Sequence, residues 1–223
     1  MVEVVYFLAM PPAETFEILA RQLAAVGRQC YARGWALGTS GNFSAVMARK
    51  PLRLAITSSG VDKGLLTAGQ IVQIDESGHV LGGSGKGKPS AEASLHLAVA
   101  RARGEEAGAV LHTHSIWSTI LSDAAADGGV MIEGYEMLKG LDGVRTHEHR
   151  EWLPIIENTQ DWVSAAAQVE QLLRGNPHAH GFLIRRHGLY TWGRDLAEAK
   201  QQMEVLEFLF EALGRKRGMT WQP

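Results

Sequence analysis

Apolar residues recur along the chain at two spacings, one suited to helices and one to strands. Phe16, Leu19, Ala20, Leu23 and Val26 fall on one side of a helical repeat after Pro11-Pro12, and Gly34 follows just past Arg33. That pattern predicts an amphipathic first helix ending there. Short apolar runs over residues 43–47, 52–57 and 71–74 predict strands joined by tight loops, with Glu76-Ser77-Gly78 as a turn.

A second helix is predicted over residues 90–103, because Ser90 can cap it and Glu92, Leu95, Leu97, Ala98 and Val99 follow without a breaker. The later pattern predicts a strand at 109–111, a helix at 115–126, an extended piece at 154–156 and a helix at 161–173 closed by Gly175. Strands at 181–186 and 189–192 come next. Leu196, Ala199, Met203, Leu206, Phe210 and Leu213 share one stripe and predict a last helix from Asp195 to about residue 213. No repeat and no linker rich in Pro, Gly or Ser interrupts the 223 residues, so the expectation is one α/β domain spanning the chain.

Apolar residues make up 45% and charged residues 21% of the chain, the balance of a globular protein able to bury a substantial core. The formal net charge of -2 gives no basic field to hold nucleic acid or anionic lipid, so neither is expected as a partner. One cysteine, Cys30, excludes an internal disulfide framework; it falls on the apolar stripe of the first helix and is expected in the core. Residues 1–10 are apolar but carry Glu3, lack a basic lead and are far shorter than the ~20 residues of a membrane span. They are expected as a strand-like or loosely ordered start to a cytoplasmic protein.

The sharpest chemical feature is His112-Thr113-His114, directly after the apolar run 109–111. In an extended segment residues i and i+2 point to one side, so two imidazoles can converge on one divalent cation at the ~2.0–2.1 Å of zinc–nitrogen bonds. Two solvated or hydrogen-bonded histidines fit the same pattern, and the chain holds three such pairs. His147-Glu148-His149 and His178-Ala179-His180 lack a preceding apolar strand and are expected in loops. The third ligand is expected at His187, between the strand at 181–186 and Gly188. Three histidines would leave an open coordination position, as catalysis requires.

Gly38-Thr39-Ser40-Gly41-Asn42 and Thr57-Ser58-Ser59-Gly60 are short loops rich in hydroxyls and open backbone N–H groups, and Ser90 falls at a predicted helix start. Each is either a plain turn or part of an anion site, with Lys63, Lys86 and Lys88 near in sequence to add positive charge. Acid–base candidates are Glu92, Glu136 and, behind them, Glu133. The apolar neighbours of Glu136 predict a partly dry carboxyl with a raised pKa.

Taken in order, the segments 38–42, 57–60, 88–92, 112–114 and 186–188 resemble the class II aldolase/adducin-head family, and the resemblance spans most of the chain. Segments 134–140, 146–149, 154–158 and 185–193 look like its methionine-salvage branch, which dehydrates a methylthio-substituted ketose phosphate. The resemblance implies a layered α/β/α domain with a central, mostly antiparallel sheet flanked by helices. It implies a Zn-type ion, with Fe, Co or Mn also acceptable to imidazoles, on His112, His114 and His187. It also implies phosphate held around Thr39, Gly41, Asn42, Ser58, Ser59, Gly60 and Ser90 with Lys88, and catalysis by Glu136. Glu92 would be a ligand, an orienter or a second acid–base. A homotetramer with sites near subunit boundaries is implied as well. The rivals are an aldolase or epimerase on another sugar phosphate and, more remotely, a non-catalytic adducin-like interaction domain.

Overall fold

Leu19, Ala20, Leu23, Ala24, Val26 and Cys30 are buried along α1 (Phe16–Ala32) in the computed structural model, which describes residues 16–82 and 87–219. Gly34, at φ +76°, follows in a left-handed conformation that a side chain would disfavour. Cys30 is core, as its place on the stripe predicted, and burial pushes its thiol up to about 12. The expected start at residues 1–10 and Lys86 lie outside the described residues.

The described strands are β1 (Asn42–Arg49), β2 (Leu52–Thr57), β3 (Ile71–Ile74), β4 (Ala109–Thr113), β5 (Gly129–Glu133), β6 (Arg150–Ile156), β7 (Gly181–Ile184) and β8 (Gly188–Gly193). They form one sheet in the order β3-β2-β1-β4-β8-β7-β6-β5. Every neighbouring pair is antiparallel except β6 and β7, which agrees with the mostly antiparallel sheet expected.

Period-two alternation sends the two sides of each central strand into different cores. On one face Ala109 and Leu111 of β4 meet α1 and α5 (Leu196–Met219), and farther along that face Leu183 and Leu189 meet α5 and α3 (Ile116–Ala124). On the other, Val110, Phe182, Tyr190 and Trp192 meet α2 (Ala93–Arg103) and α4 (Trp162–Gly175). Helix α2 lies between the sheet and α4 and is apolar on most sides, which is why its pattern has no clean polar stripe.

The structure corrects several predicted boundaries. Strand β4 runs on to Thr113, so His112 lies within a strand rather than after one. Helix α2 begins at Ala93, not Ser90: the Ser90 hydroxyl accepts from the Glu92 N–H at 3.3 Å, one turn ahead of the helix. Strand β5 was not predicted, and β6 starts at Arg150 rather than Pro154. Helix α5 continues to Met219, beyond the expected end near residue 213.

Candidate metal centre and substrate pocket

Strand register lines up the residues around His112. Asn42 of β1, His112 of β4, Tyr190 of β8 and Phe182 of β7 are successive cross-strand partners and so share one face. The His112 ring stacks on Tyr190 with centroids 4.0 Å apart, and Tyr190 stacks on Phe182 at 4.9 Å. His114 follows one residue past β4, its backbone N–H held by Trp35 O at 2.7 Å. His187 sits in the β7–β8 turn, which Arg186 makes in a left-handed conformation at φ +55°. The hydroxyl of Ser122 on α3 accepts from Arg186 N, pinning that turn. Gly188 is required next, because a Cβ there would lie 1.9 Å from Thr113 O.

The three rings meet. Nε2 of His112 lies 2.8 Å from Nε2 of His114 and 3.3 Å from Nε2 of His187, and the last two atoms are 3.0 Å apart. His112 Nδ1–H donates to Leu189 O at 2.8 Å and His187 Nδ1–H donates to Asn158 Oδ1 at 3.2 Å, which leaves both Nε2 lone pairs aimed inward. Burial pushes His112 down to about 3, and burial together with the neighbouring rings pushes His114 down to about 2. Neutral rings with converging lone pairs repel one another unless a cation lies between them, so the donor set fits a divalent metal ion.

Glu92, just ahead of α2, completes the cluster: Oε2 is 3.3 Å from His112 Nε2 and Oε1 is 3.3 Å from His187 Nε2. Burial alone would raise its pKa, but the Asn42 amide and positive charge at the His112–His187 cluster hold the carboxyl well below the ordinary carboxylate range. Asn42 Nδ2–H donates to Glu92 Oε2 at 2.7 Å and to Ser90 Oγ at 3.1 Å, and the Tyr190 hydroxyl donates to the same Oε2 at 3.1 Å. Behind them His96 is fully buried; its Nε2–H donates to Asn42 Oδ1 and its Nδ1 accepts from Ser44 Oγ at 2.7 Å. Sequence reasoning missed His96 and Tyr190. A signal existed for the first: His96 follows Glu92 by four residues, the spacing of one helix face.

The cluster opens into a pocket of about 250 Å³ lined by Thr39, Gly41, Asn42, Ser58, Ser59, Gly60 and Ser90, together with Glu92, His114 and His187. The two predicted loops and Ser90 thus meet at one place. The Asn42 amide is spent on Ser90, Glu92 and His96, so it orients the carboxylate rather than facing the pocket freely. Lys88 is exposed and is not among the residues lining this pocket, and its carbonyl accepts from Ser59 N at 2.8 Å. Lys63 lines the pocket instead, with Nζ donating to Thr39 O and Val61 O at 3.1 Å each, and burial lowers it to about 8. Gln160 and Trp162 also line the pocket and were not foreseen.

Glu136 departs from expectation. It begins a short 3-10 turn over Glu136–Gly140, its side chain is 71% exposed, and it is absent from the pocket lining. Its partners are Lys139 and His147, and the Lys139 ammonium draws its carboxyl below the ordinary value rather than above it. The apolar residues that suggested burial turn elsewhere: Leu138 is buried against α5, while Met137 is exposed. His149 and His180 lie in loops, as expected, and each ring is fixed there against Glu151.

The chain matches the class II aldolase and adducin N-terminal domain family over residues 21–213. It is 44% identical over 197 residues to a methylthioribulose-1-phosphate dehydratase from Pseudomonas fluorescens, covering 88% of this chain and 92% of that one. An Alcanivorax borkumensis protein of the same name is 43% identical over 194 residues, covering 87% and 89%. Among solved structures, YgbL from Klebsiella pneumoniae, a putative aldolase/epimerase/decarboxylase, matches with a TM-score of 0.74 at 26% identity over 91% of each chain. No helix of the described residues is long and apolar enough to cross a membrane.

Proposed function

Because the chain belongs to the class II aldolase and adducin N-terminal domain family, we propose that it is a metal-dependent hydro-lyase. It converts 5-methylthioribulose 1-phosphate to 2,3-diketo-5-methylthiopentyl 1-phosphate and water, the activity named for its relatives. The observation that carries the reading is the convergence of three Nε2 atoms and the Glu92 carboxylate at the mouth of a hydroxyl-lined pocket.

His112, His114 and His187 would hold the ion, zinc by preference for imidazole donors, with Glu92 beside it. When bound, such an ion supplies Lewis-acid polarisation of the substrate carbonyl, worth several kcal/mol. The loops at Thr39–Gly41 and Ser58–Gly60 and Ser90 bind the phosphate through hydroxyls and backbone N–H groups, and buried Lys63 offsets its charge. Glu92 takes the C3 proton. A carboxylate of such low pKa is a weak base, so it works only on a carbon acid already strongly acidified. The C4 hydroxyl leaves as water with a proton from a general acid, and the resulting enol becomes the diketone by moving its hydroxyl proton to C4.

Glu136 remains the proposed general acid. Exposed on its own chain, it serves the pocket of a neighbouring copy in the homotetramer that belongs to this reading. A cytoplasmic location belongs to it too.

Incubation with 5-methylthioribulose 1-phosphate and, separately, with L-fuculose 1-phosphate tests the reaction. The reading expects a diketone from the first and no cleavage of the second. A three-carbon aldehyde or ketone fragment would instead mark an aldolase.

A further inference from the structure

Two histidines from the pairs expected in loops come together away from the pocket. Glu151, the second residue of β6, is 1% exposed. Its Oε2 lies 2.8 Å from both His149 Nε2 and His180 Nδ1, and its Oε1 accepts the His180 backbone N–H at 3.0 Å. His149 immediately precedes β6 and His180 immediately precedes β7, so the parallel pairing of those strands brings the two rings to one carboxylate. We propose that His149 Nε2, Glu151 Oε2 and His180 Nδ1 form a second divalent-cation site, of the zinc type, separate from the His112 cluster.

Three observations carry this. Two imidazole nitrogens and one carboxylate oxygen are a zinc donor set, and the three atoms lie within 4.8 Å of one another. His180 Nε2–H donates to Asp142 O at 2.9 Å, the outer hydrogen bond that fixes a ligating imidazole with its other nitrogen free for a metal. His149 and His180 also line a pocket of about 340 Å³, together with exposed His178, so ions have an approach and the remaining coordination positions have room for water or a third imidazole. No lining residue comes from the His112 cluster.

The role of such an ion is structural. Asp142 lies just past the 3-10 turn that begins with Glu136, and the site ties the stretch from residue 142 to 149 onto the starts of β6 and β7. An ion there would fix the segment that presents Glu136.

The test is metal counting. Chelator-stripped protein is dialysed against micromolar Zn²⁺, and bound zinc per chain is measured by mass spectrometry alongside melting temperature. The proposal expects wild type to hold one more ion per chain than His180→Gln, and His112→Ala to retain an ion that His112→Ala/His180→Gln loses. His149→Ala, altered at a more exposed ring, supplies the same reading if His180→Gln folds poorly. Equal zinc content in wild type, His180→Gln and His149→Ala overturns it, as does zinc-free His112→Ala of native-like fold. Failure of the His112 cluster alone gives a different pattern, in which His112→Ala matches wild type and His180→Gln holds none.

Discussion

Asn42 stands between His96, buried behind the site, and Glu92, which lines the pocket. Its carbonyl oxygen accepts from His96 while its amide nitrogen donates to Glu92, so the orientation of an imidazole in α2 is passed to the carboxylate beside the three histidines. Ser44 fixes the other side of that ring. Replacing His96 by Leu removes the donor that sets the Asn42 amide, and outer hydrogen-bond partners of this kind are typically worth about 10–100-fold in metal affinity or activity. His96→Leu is therefore expected to lower kcat or zinc affinity by about that factor with little change in KM, and His96→Gln, which can still donate, to recover part of it. Steady-state kinetics on zinc-loaded protein check this; a His96→Leu enzyme within twofold of wild type in both quantities would leave His96 as plain packing. At this scale the sequence revealed the ligating residue types, the loops and Lys63 as a nearby cation, but neither His96 nor Tyr190, whose roles depend on which groups burial places opposite them.

Elements decide where those residues go. Strand β4 presents His112 to the α2 side and Thr113 to the α5 side, where the Thr113 hydroxyl donates to Glu207 Oε1. Glu207 is 2% exposed, and burial pushes its pKa from 4.5 to about 7. A raised folded-state value means the folded chain binds more protons than the unfolded one between those limits. The stabilisation is thus full below about 4.5 and lost as pH rises through about 7. At about 1.4 kcal/mol per unit the swing is up to about 3 kcal/mol. Glu207→Gln, neutral throughout, should flatten the fall in melting temperature between pH 5 and 8; an unchanged slope would mean that Glu207 is not its source. Helices α1 and α4 were legible because their apolar stripes are clean, and the short strands β2 and β3 because their apolar runs are compact and bounded by turns. Strand β6 was cut short in the prediction because Arg150 and Glu151 end a strongly polar stretch and read as solvent-facing, whereas Glu151 is buried beside its two histidines. Glu136 was misjudged for a related reason: apolar neighbours along a chain do not bury a residue that a 3-10 turn points outward.

Across the whole molecule the sheet order places the far-apart motifs side by side. Strands β1, β4 and β8 are neighbours although residues 42, 112 and 190 are distant in the chain, and the hairpin turn before β8 delivers His187 to the end of β4. Local periodicity does not encode that order; the ordered motifs made it legible only through resemblance to a family. The account as a whole rests on an ion held by the His112, His114 and His187 rings acting on a phosphorylated ketose. Turnover of 5-methylthioribulose 1-phosphate, measured before and after chelation and again after zinc is restored, tests that most directly. The account predicts a loss of at least about 100-fold on stripping, since several kcal/mol of polarisation disappear at about 1.4 kcal/mol per tenfold, with recovery in wild type but not in folded His187→Ala. Full turnover by metal-free protein, or zinc-restored turnover in His187→Ala equal to wild type, would contradict it.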